Sequence, residues 1–300
     1  MQRPALLARG SVQILATQPD GVPRHLELPL VTATERHAAV PPIDEQPKDA
    51  ALWSLEYKPG GIACLTMPSW SVYNGSWDWR AWLETRLDTM ATDGTRALII
   101  DLRGNEGGLD CGNPILARLV DREITPVRSA RRVRTQRVPD DLRRHVDTWD
   151  KSFYDWGDRA SGPRTDGFYD LIERDGDANG GMTIRPAGKR FRGKVIVLTD
   201  ASNSSATFGF VQLLKMSGLA TLVGNTTGGN RRGINGGAFL FLRLPISGIE
   251  IDIPLIGYFP PDAQPDAGII PDLCVDESAV DIAAGFDRGM AIASRAALDA

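Results

Sequence analysis

The hydrophobic pattern of the chain alternates between short apolar runs and longer stretches with helical spacing. Apolar runs of strand length occur at Ile62–Thr66, Ala97–Asp101 and Lys194–Thr199. Between the first two runs, the apolar side chains of residues 77–90 recur at intervals of three and four, which predicts a helix. This alternation of strands and helices predicts an α/β domain built in layers.

The same pattern continues through the second half of the chain. A helix is predicted directly after Lys194–Thr199, and strands are predicted at residues 220–223, 238–244 and 249–253. An alanine-rich helix is predicted at residues 280–297. These elements extend the layered domain to the end of the sequence.

The first fifty residues have a different character. Strands are predicted at residues 11–15 and 25–28, on either side of a Pro-Asp-Gly turn. Two strands cannot form a core on their own. Residues 31–50, with several prolines and charges, predict a linker. We therefore expect residues 1–50 to be a β-strand remnant and linker, and residues 51–300 to be the core.

Residues 121–192 interrupt the rhythm of the core. They are rich in Arg, Asp and Gly and contain several aromatic side chains. Long segments of this kind inside a compact domain are usually lids, binding elements or disordered regions. We predict an insertion, partly helical, that covers one face of the core.

Composition limits the class of protein. The hydrophobic share of 42% and the charged share of 24% are typical of a globular protein. A chain of 300 residues can bury a full core. The formal net charge of −4 gives no case for nucleic-acid binding, and the arginines of residues 128–144 are interpreted as a solvated face.

Metal, cofactor and membrane sites have no sequence signal. The three cysteines and three histidines are scattered, without Cys-x-x-Cys or paired-His spacing, so no metal site is predicted. Phosphate-loop and dinucleotide glycine spacings are absent, so no cofactor is predicted. No apolar stretch is long enough to span a membrane or to form a signal peptide. If Met1 is the natural start, we expect a cytoplasmic location.

A serine cluster occupies a place where the backbone would support a nucleophile. Ser202, Ser204 and Ser205 lie between the Lys194–Thr199 strand and the predicted helix that follows it. A hydroxyl at a helix N-terminus is exposed, and the helix dipole stabilises developing negative charge there. Serine is also an ordinary N-cap residue, so the position alone leaves both roles open.

A glycine-rich turn follows the Ala97–Asp101 strand, with the sequence Arg-Gly-Asn-Glu-Gly-Gly at residues 103–108. Glycines permit positive φ and let backbone N–H groups point outward together, which forms a concavity that binds anions. A tight strand-to-helix turn without a ligand would use the same glycines. Both interpretations are compatible with the turn itself.

Four blocks of the chain, taken in order, resemble the tail-specific serine peptidases, also described as C-terminal-processing or tricorn-core-like. They are residues 98–108 (LIIDLRGNEGG), residues 195–200 (VIVLTD) followed by Ser205-Ala206, residues 220–229 (ATLVGNTTGG) and residues 268–272 (GIIPD). The resemblance covers residues 52–275. It implies the Clp protease–crotonase fold, a spiral of ββα units, here with a short N-terminal β element like the end of a PDZ-like module. Longer relatives are often periplasmic or secreted.

The resemblance also implies roles for individual residues. It makes Ser205 the nucleophile, ahead of the neighbouring serines. It places the backbone N–H groups of Ala206 and of a glycine of the Gly107-Gly108 pair in the oxyanion hole. One such donor lowers the barrier of acyl transfer by about 3 kcal/mol.

The general base is the point at which the chain departs from the family. Asn230 stands where the resemblance places a lysine, and the two arginines that follow it cannot accept a proton from serine. The tricorn-like branch uses a histidine oriented by a carboxylate. That pattern indicates His145 or His37 as the base and Asp266 as the orienting carboxylate.

These observations predict a hydrolase, a serine peptidase that cleaves extended polypeptides through a Ser205 acyl-enzyme without metal or cofactor. The alternative is a weak or inactive member of the same fold that binds a peptide or a hydrophobic ligand. The missing lysine favours this alternative, whereas the intact serine and glycine segments oppose it. An acyl-CoA enzyme of the crotonase type fits the fold but not the exposed serine. The oligomeric state is left open, and a homo-oligomer is compatible with the sequence.

Overall fold

The computed structural model describes residues 10–18, 20–39, 51–73, 75–172 and 183–299. The strands are β1 Ser11–Thr17, β2 Pro23–Pro29, β3 Ser54–Lys58, β4 Ile62–Thr66, β5 Ala97–Asp101, β6 Ala130–Val133, β7 Val146–Asp147, β8 Ala160–Ser161, β9 Tyr169–Leu171, β10 Lys194–Thr199, β11 Thr221–Gly224, β12 Ile234–Arg243, β13 Glu250–Phe259 and β14 Leu273–Cys274. The helices are α1 Ala33–Ala39, α2 Trp79–Met90, α3 Asn113–Leu119, α4 Asp140–Arg143, α5 Ser205–Ser217, α6 Ala279–Ala284 and α7 Arg288–Leu298.

The first six-stranded sheet has the strand order β14-β11-β10-β5-β4-β3. Its strands pair in parallel except for the edge strand β3, which is antiparallel to β4. Every residue of β5 is buried, and only Lys194 of β10 is exposed. Parallel strands covered on both faces need apolar residues at successive positions, which explains the continuous apolar runs of these two strands.

Each central strand contributes to two cores, because successive side chains point to opposite faces of the sheet. Leu98 and Val197 belong to the larger core, which contains buried residues of α2, α3 and α5. Ile99 and Ile196 belong to a smaller core that includes Ala293 of α7. The prediction of a layered α/β fold is confirmed, and the ββα spiral stays a prediction.

The second six-stranded sheet is antiparallel and has the strand order β7-β12-β13-β6-β9-β8. Its centre is the hairpin of the two long strands β12 and β13. The other four strands come from the segment 121–192, which we predicted to be a partly helical insertion. The segment does contain α4 and two short 3-10 turns, but its strands complete this sheet. The proposed boundaries of the insertion stay a prediction, and residues 173–182 lie outside the described residues.

The two ends of the chain differ in detail from the sequence-based predictions. The strands β1 and β2 form a separate two-stranded antiparallel sheet with mostly exposed side chains. Part of the predicted linker forms α1, and residues 40–50 lie outside the described residues. The prediction of a single helix at residues 280–297 is wrong. Gly285, with φ of 64°, ends α6, and α7 follows. None of the described helices has the length and apolar character needed to cross a bilayer.

Arg103 connects the carboxyl-terminal helix α7 to the end of the central strand β5. Its guanidinium donates to both carboxylate oxygens of Asp287, each at 2.8 Å, and to those of Asp101 at 2.9 and 2.6 Å. Asp287 is also the N-cap of α7, where it accepts a bond from the Met290 backbone N–H at 2.8 Å. The hydrogen bonds from Arg103 hold the pKa of Asp287 below its ordinary value of 3.8.

The salt bridge between Arg103 and Asp287 makes the stability of the fold dependent on pH. Because the pKa of Asp287 is lower in the folded chain, the bridge stabilises the fold above pH 3.8, and the contribution is lost as the pH falls through the lowered value. We expect Asp287→Asn to reduce the free energy of unfolding at neutral pH by up to about 1 kcal/mol. The difference from wild type should shrink on acidification.

Urea unfolding of the wild type and of Asp287→Asn, measured from neutral pH to below pH 3.8, checks this expectation. Asp276→Asn, which removes an exposed carboxylate outside the bridge, is the matched control. A difference between wild type and Asp287→Asn that stays constant with pH would contradict the role given to the bridge.

Candidate active site

Ser205 begins α5 in a strained backbone conformation. Its φ is 48°, and among the described residues it is the only non-glycine residue with positive φ. Such a conformation costs about 1–3 kcal/mol and persists only where the surrounding structure enforces it. A strained serine between a strand and a helix is also how α/β-hydrolases present their nucleophile. The Ser205 side chain is exposed.

The serine turn, residues 200–206, is held from inside by Asn203, which has no exposed surface. The Asn203 Nδ2 group donates to the carbonyl oxygens of Leu102 at 2.6 Å and Asn105 at 3.2 Å. Its Oδ1 atom accepts from the backbone N–H of Asp200 at 2.9 Å. One side-chain amide therefore fixes its own turn and attaches it to the end of β5.

The glycine turn, residues 102–108, is held in the same way by the fully buried Asn105. Its Nδ2 group donates to the carbonyl oxygen of Met67 at 2.7 Å. Its Oδ1 atom accepts from the Gly107 N–H at 2.9 Å and from the Thr207 hydroxyl at 2.8 Å. The second asparagine thus joins the glycine turn to the start of α5.

Glycine is required at the two positions where this turn approaches its neighbours. Gly107 has φ of 104°, and a Cβ atom there would lie 2.8 Å from the Cβ of Ser205 and 3.0 Å from the backbone N of Ala206. Gly108 has φ of 140°, and a Cβ atom there would overlap the carbonyl group of Trp70. Gly107 therefore allows the glycine turn to contact the serine turn, and Gly108 allows it to pack against the backbone of Trp70.

The structure distinguishes the two glycine amides. The Gly107 N–H is already bonded to Asn105, whereas no acceptor for the Gly108 N–H is found in the described part of the chain. The Ala206 N–H likewise has no acceptor there. Of the amides expected to form an oxyanion hole, Gly108 and Ala206 are the pair that can still donate.

Ser205 faces a cleft of about 2260 Å³. The walls of the cleft come from the serine turn, the glycine turn, residues 228–237 and the β12–β13 hairpin. Its titratable side chains include Tyr73, Glu106, Asp110, Lys215, Asp252 and Tyr258. Lys215 is paired with Asp272. Within the described ranges, no group of three or more His, Cys, Asp or Glu side chains is arranged to bind a metal ion.

The described structure does not place His145 beside Ser205. His145 lies between α4 and β7, outside the lining of the cleft, and its Nε2 atom accepts from the Arg144 Nε group at 3.0 Å. His37 belongs to α1, and its side chain lies outside the described structure. Among the described side chains, none is hydrogen-bonded to the Ser205 hydroxyl.

Asp266, the predicted orienting carboxylate, is bonded to Asn230, which stands where the resemblance places a lysine. The Asn230 Nδ2 group donates to Asp266 at 2.6 Å, and Asn230 lines the same cleft as Ser205. Arg232 pairs with the same carboxylate at 3.0 Å. These bonds, from Asn230 first and Arg232 second, keep the pKa of Asp266 below its ordinary value. The carboxylate is therefore bound by an amide and a guanidinium, and the described structure does not place an imidazole beside it.

Three comparisons relate the chain to known proteins. The sequence model of peptidase family S41 matches residues 61–275. A structure of a proposed peptidase from Parabacteroides merdae is 21% identical with a TM-score of 0.52, and the match covers 83% of this chain and 66% of that one. The structure of mature CPAF complexed with lactacystin is 16% identical with a TM-score of 0.52, covering 96% and 67%.

The photosystem II D1 C-terminal processing protease is 16% identical, with coverage of 89% of this chain and 55% of that one. Its TM-score of 0.42 is too low to support an inference. The chain spans about two thirds or less of the length of these three structures. At such identities the likeness shows the fold alone. No curated protein matches the chain.

Removal of the Asn203 amide tests the internal support of the serine turn. Asn203→Ala removes the described partner of the Asn105 carbonyl oxygen and of the Asp200 N–H, and it removes one of the two donors to the Leu102 carbonyl oxygen. A buried group left without a partner costs about 1–3 kcal/mol. We expect the free energy of unfolding, measured in urea, to fall by at least about 2 kcal/mol. Asn225→Ala, which truncates an exposed asparagine, should change it by less than about 0.5 kcal/mol. Equal effects of the two substitutions would contradict the role of Asn203.

Proposed function

Because the chain belongs to peptidase family S41, we propose that it is a serine-type peptidase in which Ser205 is the nucleophile. The observation that carries the proposal is the strained, exposed conformation of Ser205 at the start of α5. The adjacent turns supply two backbone amides, those of Gly108 and Ala206, which have no other acceptor in the described structure. A nucleophile and the donors for an oxyanion are therefore held by the same pair of turns.

In the proposed reaction, the Oγ atom of Ser205 forms a bond to the carbonyl carbon of a peptide. The carbonyl oxygen gains negative charge, and the N–H groups of Gly108 and Ala206 stabilise it together with the N-terminal end of α5. One such donor is worth about 3 kcal/mol of barrier. The C–N bond then breaks, the amine leaves with a proton, and water hydrolyses the resulting ester to release the acid.

The reaction needs a base that takes the serine proton and returns it to the leaving amine. His145, oriented by Asp266, remains our proposal for this role, with His37 as the other histidine. His145 is not among the residues that line the cleft, so for His145 to act the segment between α4 and β7 must move toward Ser205. Asp266 is bonded to Asn230, which lines the cleft.

The size of the cleft supports a polymeric substrate. Sites for small molecules usually enclose about 300–1,000 Å³, whereas the cleft at Ser205 has about 2260 Å³. An extended polypeptide would fill such a volume along its length. We propose that peptide bonds of extended or unfolded polypeptides are the substrate.

Two observations favour a second candidate function. No described side chain is hydrogen-bonded to the Ser205 hydroxyl, and Asn230 occupies the place of the lysine expected from the resemblance. The same cleft would then bind a peptide or a hydrophobic ligand without cleaving it. This function requires the cleft but makes no use of the strained serine.

Labelling with a fluorophosphonate distinguishes the two functions. We expect Ser205→Ala to lose labelling and to lower the hydrolysis of an unfolded protein substrate at least about 10³-fold, because the nucleophile is gone. Ser202→Ala and Ser204→Ala are the matched controls and should keep the label, since the Ser204 hydroxyl already donates to the Glu106 carbonyl oxygen at 2.8 Å. Labelling that persists in Ser205→Ala overturns the mechanism. A folded wild-type chain that takes no label supports the second function.

A further inference from the structure

Three aromatic side chains border the cleft that contains Ser205, and we call Trp149, Phe239 and Phe241 the aromatic shelf. The Trp149 ring lies 5.8 Å from the Phe239 ring and 5.7 Å from the Phe241 ring, measured between centroids. It also packs edge-on against Phe153 at 5.6 Å. Despite these contacts, 61% of Trp149 remains exposed.

The alternation of side chains along β12 places the aromatic shelf on the side of the second sheet that faces the cleft. Along β12, the buried Ala238 and Leu240 pack into the small cores on one face of the second sheet. Alternation then places Phe239 and Phe241 on the other face, toward the cleft. Trp149 is positioned by β7, because Asp147 pairs directly with Phe241. The three rings are thus supported by paired strands.

An exposed tryptophan held in this way is typical of a binding surface. Aromatic side chains bury large areas on association and lose little conformational entropy. Tryptophan is enriched among the residues that contribute most to binding energy. An extended polypeptide that reaches Ser205 through this cleft would lie against the shelf, because both border the same space.

A carboxylate beside the shelf adds a charge preference. Asp252 lies directly opposite Phe241 in the register of β12 and β13, so the two side chains share one face of the sheet. Asp252 also lines the cleft and is exposed. An acidic side chain brought to the shelf would be repelled by Asp252, whereas an apolar one would gain the burial of the rings.

We propose that the aromatic shelf binds a large apolar side chain of the substrate polypeptide, phenylalanine or leucine, and that Asp252 excludes acidic side chains from this subsite. The proposal rests on the proposed function for its substrate class, a polypeptide. It adds which residues select the substrate and which side chains they accept.

Peptide binding to the Ser205→Ala chain tests the proposal without cleavage. The probes are fluorescein-labelled, unstructured Gly/Ser-rich peptides that carry a single Phe, Glu, Arg or Ser, and the readout is fluorescence anisotropy. The Phe peptide should bind at least about tenfold more tightly than the Ser or Glu peptide. Adding Trp149→Ala should remove that preference. Phe286→Ala, which truncates an aromatic side chain that is 52% exposed and outside the cleft lining, should keep it.

A second substitution tests the charge preference separately. Asp252→Asn should strengthen binding of the Glu peptide severalfold and leave the Phe peptide unchanged, because only the acidic side chain is repelled by the carboxylate. Tightest binding of the Arg peptide would overturn the proposal in favour of a site for cations. Failure of the Phe peptide to bind, or a Phe preference unchanged by Trp149→Ala, would overturn it outright.

The outcomes separate this proposal from the proposed function. If fluorophosphonate labels Ser205 but Trp149→Ala leaves the Phe preference intact, the peptidase mechanism stands and the shelf is only structural. If Ser205 takes no label but the preference depends on Trp149, the shelf selects ligands for a chain that does not cleave them.

Discussion

The geometry of the site depends on two buried asparagine side chains, Asn105 and Asn203. Each has no exposed surface, and each satisfies its amide with backbone groups of more than one segment. A buried polar network of this kind is rigid when every member is satisfied and costly when one is missing. Together the two amides connect the end of β4, the glycine turn and the serine turn, so the strained φ of Ser205 has a structural cause.

The parallel sheet explains why these turns meet at all. β5 and β10 are adjacent and parallel, with Asp101 opposite Leu198, so their carboxyl ends emerge at the same edge. Ligand sites of open α/β sheets form at this edge for the same reason. Gly107 then permits an approach of the two turns that no side chain would allow. Arg103 extends the support to α7 through its bonds to Asp287.

Much of this arrangement could be predicted from the sequence, because its signals are local. The strands β5 and β10 have continuous apolar runs and were predicted with the bounds that the structure shows. The serine turn and the glycine turn follow them directly. The relation between the turns came from the family resemblance, and the structure adds the two asparagines that hold them together. An asparagine in a turn is so common that its residue type alone gives no signal of such a role.

The second sheet could not be predicted in the same way. Its strands β6 to β9 are short, and all of them except β8 carry a charged residue. β6 pairs with β13, more than a hundred residues away. Such strands are stabilised by their partners, which a local pattern does not contain. The division between α6 and α7 depends on one glycine, Gly285, and an isolated glycine inside a helical pattern does not by itself predict a helix end. The identity of the general base stays a prediction. The sequence pattern does not determine it, and no described contact joins an imidazole to Ser205.

The most direct test of the central claim is a crystal structure of the chain after reaction with a small fluorophosphonate. The account predicts phosphorus bonded to the Oγ atom of Ser205, with the phosphonyl oxygen about 2.7–3.1 Å from the backbone nitrogens of both Gly108 and Ala206. Ser205 should keep its positive φ in the adduct. A phosphonyl oxygen that contacts neither amide, or an adduct on another serine, would contradict the claim that the two turns form one catalytic site.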